Sequence, residues 1–235
     1  MTKQIPAFVI SLKSSSERKN HTIAQFDKMG ISYQIIDAIS SDHQLVTEIF
    51  KDRKPITSYG KPRYMKKAAV GCVLSHMHIY RKMVLEHSEV ACIFEDDNDY
   101  SPALNQLLNY NNLNVTPWDI LMLGHHGEYK QCATWSRAKK ELPVSGYKIG
   151  QPIEIPLGTY AYVIKRNAAE LLLNHYNPIT MSADRCTGRA YTIGVNTYIL
   201  SPPCAINNPR FKSTINFSEE SYFLDNKYNI KISIF

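Results

Sequence analysis

Cysteine is scarce in this chain of 235 residues, and what there is does not pair up. Cys72, Cys92, Cys132, Cys186 and Cys204 are odd in number and widely spaced, and no Cys-x-x-Cys occurs. That pattern argues against both a disulfide framework and a structural zinc site, and it fits a reducing cytoplasm. Cys72 and Cys92 lie inside apolar runs and read as small buried hydrophobes. Long apolar stretches are also missing. No window approaches the roughly eighteen residues of a membrane-spanning helix. The opening "MTKQIPAFVISLKSSSERK" has too short an apolar run, and no small-residue cleavage site, to read as a signal peptide. No internal repeat or low-complexity tract appears. Hydrophobic residues make up 44% and charged residues 20%, enough for a buried core and against wholesale disorder.

The net charge of +6 is unevenly spread. "KDRKPITSYGKPRYMKK", residues 51–67, holds seven basic residues and one acid, so its own balance equals that of the whole chain. Proline and glycine within it predict a loop. A basic loop either points to an anionic partner (phosphate, nucleic acid or an acidic membrane surface) or is simply solvated.

Residues 6–12, "PAFVISL", predict a buried strand. A helix follows, with Ser14 and Glu17 spaced as a capping box and Gly30 as its stop. "YQIID" predicts the next strand, giving a βαβ unit and a parallel sheet. Apolar residues at positions 70, 73, 74, 77, 80 and 84 have helical spacing. "VACIF" and "DILML" read as strands covered on both faces. "TYAYVI" predicts a strand backed by the helix "RNAAELLLNHY", and "NTYIL" a last strand stopped by Pro202 and Pro203. The expected class is α/β, a mostly parallel sheet flanked by helices with a loop-rich C-terminal part.

At the end of "VACIF" the chain places Glu95, Asp96, Asp97 and Asp99 within five positions. Ligands of open α/β sheets bind beyond the carboxyl ends of strands. If the extended backbone continues, Glu95 and Asp97 point one way and Asp96 the other. Unit charges about 4 Å apart repel by roughly 4 kcal/mol at an effective dielectric of 20. A divalent cation reverses that sign, and Mg²⁺ or Mn²⁺ held by one or two carboxylates typically also binds substrate phosphates. The other reading is a solvated acidic loop.

The combination carries more than any part. "FVISLKSSSERK", "IIDAIS", "GCVLSH" before a long helix and "CIFEDD" after it, in that order, resemble glycosyltransferase family 25, whose members include bacterial lipooligosaccharide galactosyltransferases. "GTYAYVIKRNAAELLL" is similar to the family's glycine-led strand and helix, and the likeness spans most of residues 7–205. Ala69 and Val70 stand where family members often carry a glutamate, and Asn98 where they usually carry an aliphatic residue. The resemblance implies a GT-A-like, Rossmann-related fold in a single domain, 1–235, with a nucleotide-sugar-binding half near 1–125 and an acceptor-side half at 126–235. It implies Mn²⁺ or Mg²⁺ at an Asp-x-Asp-like motif, and transfer with inversion from a UDP-sugar, by family membership UDP-galactose, to a lipid-linked surface oligosaccharide.

By that resemblance Asp97 and Glu95 hold the metal, with Asp96 between them. Ser11, Leu12, Lys13 and Arg18 lie near the nucleotide, and Asp37 and Ala38 line the uridine pocket. Ser75 and His76 become contacts to donor or acceptor, although a lone helical histidine is ordinarily a core or surface residue. Inversion needs a general base for the acceptor hydroxyl. Asp184 is the candidate, ahead of Glu154 and Asp119, with an ordinary loop aspartate as the alternative. His125 and His126 of "GHHG" contact acceptor or metal, or form a plain turn. The basic loop and the tail "NKYNIKISIF" would hold a cytoplasmic enzyme against an anionic membrane, or the tail is an edge strand. Two rival classes remain: a nucleic-acid-binding module built on residues 51–67, with Tyr59 and Tyr64 as stacking platforms, and a two-carboxylate glycoside hydrolase. The acid cluster opposes a polyanion, so no nucleic-acid partner is expected.

Overall fold

The computed structural model describes residues 4–51, 57–58, 61–62, 65–127 and 136–215. Most of the basic segment, including Tyr59 and Tyr64, therefore lies outside the described residues, as do Cys132 and the tail.

The expected βαβ unit opens the chain: β1 (Ala7–Ser11), α1 (Ser16–Met29) and β2 (Tyr33–Asp37). β1 and β2 pair in parallel, Ala7 opposite Tyr33 and Ser11 opposite Asp37. Gly30 ends α1 in the left-handed conformation at φ 65°, which only glycine adopts freely. The N-terminal signal misleads by one residue. Ser15 is the N-cap and makes no side-chain cap bond, while Glu17 reaches Arg210 instead.

The chain continues through α2 (Gln44–Lys51), the two-residue strands β3 (Thr57–Ser58) and β4 (Lys61–Pro62), α3 (Lys67–Leu85), β5 (Val90–Glu95), β6 (Asn98–Tyr100), α4 (Leu104–Leu107), α5 (Tyr110–Leu113) and β7 (Ile120–Gly127). Then come β8 (Ser136–Glu141), β9 (Lys148–Pro152), β10 (Pro156–Lys165), α6 (Arg166–His175), α7 (Ala183–Gly188), a 3₁₀ turn at Ala190–Ile193, β11 (Thr197–Ser201) and β12 (Ala205–Asn207). Eight strands form one sheet in the order β2-β1-β5-β10-β7-β11-β9-β8. The sheet is mixed and mostly parallel: β9 and β10 run against the other six. β10 lies in the middle, between β5 and β7.

Helices cover both faces, which is why β1 and β5 read as continuous apolar runs. Phe8, Ile10, Ala91 and Ile93 point to one side, against α3, α6 and α7 through Val73, Met77, Tyr80, Leu172 and Cys186. Ala7, Val9, Cys92 and Phe94 point to the other, against Phe26 of α1 and against Leu104, Leu107 and Trp118. Phe26 is fully buried and meets Phe94 edge-on, with ring centroids 4.9 Å apart. Burial of one such side chain contributes about 1.5–3 kcal/mol.

Candidate functional site

Parallel pairing brings the carboxyl ends of β1, β2 and β5 to one edge. Ser11 lies opposite Asp37, and Ile10 opposite Glu95. The loop at Leu12 and Lys13 and the first turn of α1 rise from that edge, and Ala38 N donates to Ser11 O at 2.9 Å. Lys13 and Asp37 form a 3.3 Å ion pair with both side chains largely exposed, a contact of little energetic weight.

The acids do not alternate as expected. β5 stops at Glu95, and Asp96 and Asp97 form the turn into β6, so strand geometry no longer sets their direction. Tyr100 OH donates to Glu95 O at 2.6 Å, and Asn98 Nδ2 donates to Glu95 O and Tyr160 O at 3.1 and 3.2 Å, bracing the turn. An aliphatic residue at position 98 would make neither of those two contacts.

Each acid then finds its own partner. Asp96 accepts from Ser11 Oγ at 2.6 Å and meets Arg18 Nη1 at 3.4 Å. Asp97 Oδ2 lies 3.3 Å from the same Nη1. Arg18 is itself mostly buried, donates through Nη2 to Lys212 O, and lies over the ring of Phe211. A guanidinium thus supplies part of the counter-charge that the sequence alone assigns to a metal. It does not supply all of it. Burial, and next the nearby Glu95 carboxylate, push Asp97 up to about 7 despite Arg18. Asp97 Oδ1 is buried with no hydrogen-bond partner. Asp96 is raised by burial, against Ser11 and Arg18. Burial would raise Glu95 too, but His76, Thr159 and Arg18 outweigh it and hold its carboxyl below the usual range.

The Gly-Cys-x-x-Ser-His motif on α3 serves two neighbours. A Cβ on Gly71 would lie 2.3 Å from Ile39 O, so only glycine lets the helix approach the loop after β2. Ser75, one turn on, accepts from Ile39 N at 2.8 Å and donates to Gly71 O at 2.8 Å. Ser75 is fully buried and positions that loop. Cys72 and His76 face Glu95 instead. Cys72 Sγ is 3.9 Å from Glu95 Oε1, and His76 Nε2 is 3.5 Å from it without making a hydrogen bond. Cys72 packs against the core as expected but is only half-buried. His76 Nδ1 bonds Tyr162 OH at 2.7 Å, and Tyr162 OH bonds Tyr80 OH at 2.6 Å.

β10 supplies residues that sequence reasoning missed. Its pairing with β7 shifts register between Leu157 and Ala161, around Gly158 at φ 85°. Such a bulge re-aims side chains. Thr159 Oγ1 donates to Glu95 Oε1 at 2.5 Å, Tyr160 OH meets His126 Nδ1 at 3.0 Å, and Tyr162 reaches His76. The tyrosines of "GTYAY", next to a glycine within a strand pattern, were the available signal. Burial, then Glu95, Asp97 and Asp184, raise the Tyr160 phenol to about 12.

Asp184 stands in the first turn of α7, where its Oδ1 accepts from Ser182 Oγ at 2.5 Å and Arg185 N at 2.8 Å. Burial first, and then the charges of Glu95 and Asp184, push up the Cys72 thiol as they do the Tyr160 phenol. Glu154, in the turn before β10, has Oε2 buried without a hydrogen-bond partner. Asp119 is removed from candidacy: it precedes β7, at the opposite end from the site, and accepts from Asn167 Nδ2, Asn196 N and Asn196 Nδ2 at 2.9–3.1 Å. His125 is buried, bonds Leu200 O at 3.0 Å through Nε2, is lowered by that burial, and has Nδ1 buried without a hydrogen-bond partner.

The sequence matches the profile of glycosyltransferase family 25 (LPS biosynthesis protein) over residues 4–187. The chain belongs to glycosyltransferase family 25. It is 27% identical over 178 residues to the lipooligosaccharide biosynthesis protein lic2B of Haemophilus influenzae, covering 74% of this chain and 64% of that protein. It is 25% identical to procollagen galactosyltransferase 1-A of Xenopus laevis, covering 71% and 28% respectively. A human relative described as an inactive glycosyltransferase 25 family member 3 is 27% identical, covering 71% of this chain and 28% of that protein. The chain thus spans under a third of these animal family members and about two thirds of the bacterial one. Since named transferases and an inactive member match equally well, the site residues carry the functional argument. Among solved structures, an inositol-1-phosphate CTP transferase from T. maritima is similar at TM-score 0.48 and 14% identity, covering 91% of this chain and 94% of that one. A glycosyltransferase involved in glycosylation of the PBCV-1 major capsid is similar at TM-score 0.46 and 9% identity, covering 84% and 81%.

Proposed function

We propose that this family 25 protein is a metal-dependent, inverting glycosyltransferase that moves a sugar from a UDP-sugar, UDP-galactose by family membership, onto a lipid-linked surface oligosaccharide. One observation carries the reading: the three-acid turn at the sheet's carboxyl edge keeps a buried, unpartnered Asp97 oxygen beside Arg18. A carboxylate left half-satisfied in that place is a hard oxygen donor, and it fits Mn²⁺ or Mg²⁺. Asp97 with Glu95 would hold the ion, which when bound supplies Lewis-acid stabilisation of a departing diphosphate.

The chain's own residues do the rest. Ser11, through Asp96, fixes the loop from Leu12 to Arg18 against the acids. Asp37 and Ala38 border the same edge and would bound the nucleoside, with Ser75 holding the loop that follows them. His76 and Thr159 orient Glu95. Asp184 would take the acceptor hydroxyl proton, which requires an acid across the sugar from the phosphates. In this reading residues up to about 125 build the donor side, and those after it the acceptor side. No helix among the described residues is long and apolar enough to cross a membrane. We place the protein in the cytoplasm, against the membrane that carries its acceptor; liposome co-sedimentation of a chain lacking residues 227–235 tests that contact.

The deciding experiment is hydrolysis of a panel of nucleotide sugars with manganese and with EDTA. Release of UDP that depends on the metal is expected. Activity on glycosides that is indifferent to EDTA and nucleotide would replace this reading with a hydrolase.

A further inference from the structure

The face of α3 turned toward Glu95 carries a donor set that hard-cation chemistry does not use. Cys72 and His76 are one helical turn apart and converge on the same carboxylate oxygen. Their ligand atoms and Glu95 Oε1 all lie within 4.8 Å of one another. A tetrahedral zinc ion with ordinary bond lengths separates a nitrogen and an oxygen ligand by about 3.3 Å, and a sulfur and an oxygen ligand by about 3.5 Å. Here the corresponding separations are 3.5 Å for His76 Nε2 and 3.9 Å for Cys72 Sγ. A few tenths of an ångström of side-chain movement would close both.

Two further observations point to a ligand. His76 is 1% exposed, and its Nε2, 3.5 Å from Glu95 Oε1, has no hydrogen-bond partner. Its other ring nitrogen is already held by Tyr162, which is held in turn by Tyr80. Metal-ligating histidines commonly carry such an outer partner, which fixes the ring and frees the ligating nitrogen. The half-buried Cys72 and the partly exposed Glu95 leave one side open for entry, with a fourth position for water.

We propose that Cys72, His76 and Glu95 form a binding site for a borderline-soft dication of the zinc class, distinct from the oxygen-ligated ion at Asp97. Thiolate and imidazole select zinc over manganese or magnesium. The thiol proton leaves to solvent as the ion binds. On the transferase reading of the same corner, Glu95 is shared, so zinc there draws it away from manganese and inhibits transfer. The site itself does not depend on that reading, because its test needs no donor sugar.

Cobalt is the probe. Stoichiometric Co²⁺ added to the metal-free, reduced full chain should give a sulfur-to-cobalt charge-transfer band and the visible bands of a tetrahedral centre. Cys72→Ser, which replaces sulfur by oxygen with little change of shape, should abolish the charge-transfer band. Asp97→Asn should retain it. Tyr162→Phe should weaken cobalt binding by about 10–100-fold. Zn²⁺ added afterwards should bleach the signal, and Mn²⁺ should not. No charge-transfer band in the wild type, or a band that survives Cys72→Ser or disappears in Asp97→Asn, overturns the assignment. A signal that Mn²⁺ displaces as readily as Zn²⁺ overturns the proposed metal class. Matching far-ultraviolet circular dichroism across the variants separates ligand loss from misfolding.

Discussion

Replacing Asp97 by asparagine should stabilise the metal-free protein while removing its proposed function. In the fold Asp97 is raised from 3.8 to about 7, by burial first and by Glu95 next. The folded state therefore holds a proton on Asp97 between those values that the unfolded chain gives up. The sign follows: stability is lost as pH rises from about 4 through about 7, and above that the full penalty of a buried carboxylate is present. The difference of about 3 pH units corresponds to a ceiling of about 4 kcal/mol at 1.36 kcal/mol per unit. Asparagine keeps the shape, removes the charge, and gives up the 3.3 Å contact with Arg18. With relaxation around it we expect about half the ceiling, roughly 2 kcal/mol, or about 4–8 °C in Tm for a chain of this size. The assay is thermal unfolding of wild type and Asp97→Asn in EDTA at about pH 5 and about pH 8, with a clearly larger gain at the higher pH, because only the part of the loss between about pH 4 and 5 is present at the lower. Glu95→Gln is the internal contrast. Its carboxyl is held below the usual range, so it contributes stability above its unfolded value that is lost as pH falls through the folded one. Removing that charge should lower Tm at neutral pH. If Asp97→Asn lowers Tm at the higher pH, or raises it equally at both, the account of the acid turn is wrong.

Manganese and UDP together should raise the melting temperature more than the sum of either alone, by linkage to the native state, and Asp97→Asn should erase that synergy in a thermal-shift titration. Asp184→Asn should lower kcat by about 10²–10⁴-fold with donor Kd unchanged; equal loss of turnover and donor binding in calorimetry would reassign the residue. Gly71→Ala drives a methyl into Ile39 O and should destabilise by about 1–3 kcal/mol in urea unfolding. Ser75→Ala strands Ile39 N and should lose about 1–3 kcal/mol, with weaker donor binding because the loop after β2 is no longer held.

Where residues alternate or recur at a helical period, the fold was legible. β1, β2, β5, β7, α3 and α6 answer to apolar runs and spacing alone. β8 was not legible, because its Lys139, Lys140 and Glu141 are exposed. Charge of that kind, which protects a sheet edge from pairing with another chain, erases the apolar signal that marks a strand. Nor could the sequence orient β10, since a strand buried on both faces looks the same in either direction. The site was legible in its residue types and obscure in its geometry. Expecting Glu95 and Asp97 on one side assumed that the strand continued; Asn98 and Tyr100 tie down Glu95 O and help turn the chain there. Thr159 and Tyr160 were hidden because a register shift, which only pairing reveals, turns them into the site.

The α3 motif shows why its four residues belong together. Positions 71 and 75 share one line along the helix, and 72 and 76 the neighbouring line, since residues four apart stack on the same face. The first pair fixes α3 to the loop after β2; the second meets Glu95 at the end of β5. The ends of β2 and β5 are not adjacent in the sheet, because β1 lies between them. One rigid helix therefore sets the distance between the residues at Asp37–Ile39 and the carboxylate at Glu95, something strand pairing fixes only through an intervening strand. Any ligand that touches both ends is measured by α3, so a substitution on either line should change its affinity even where the side chain never meets it.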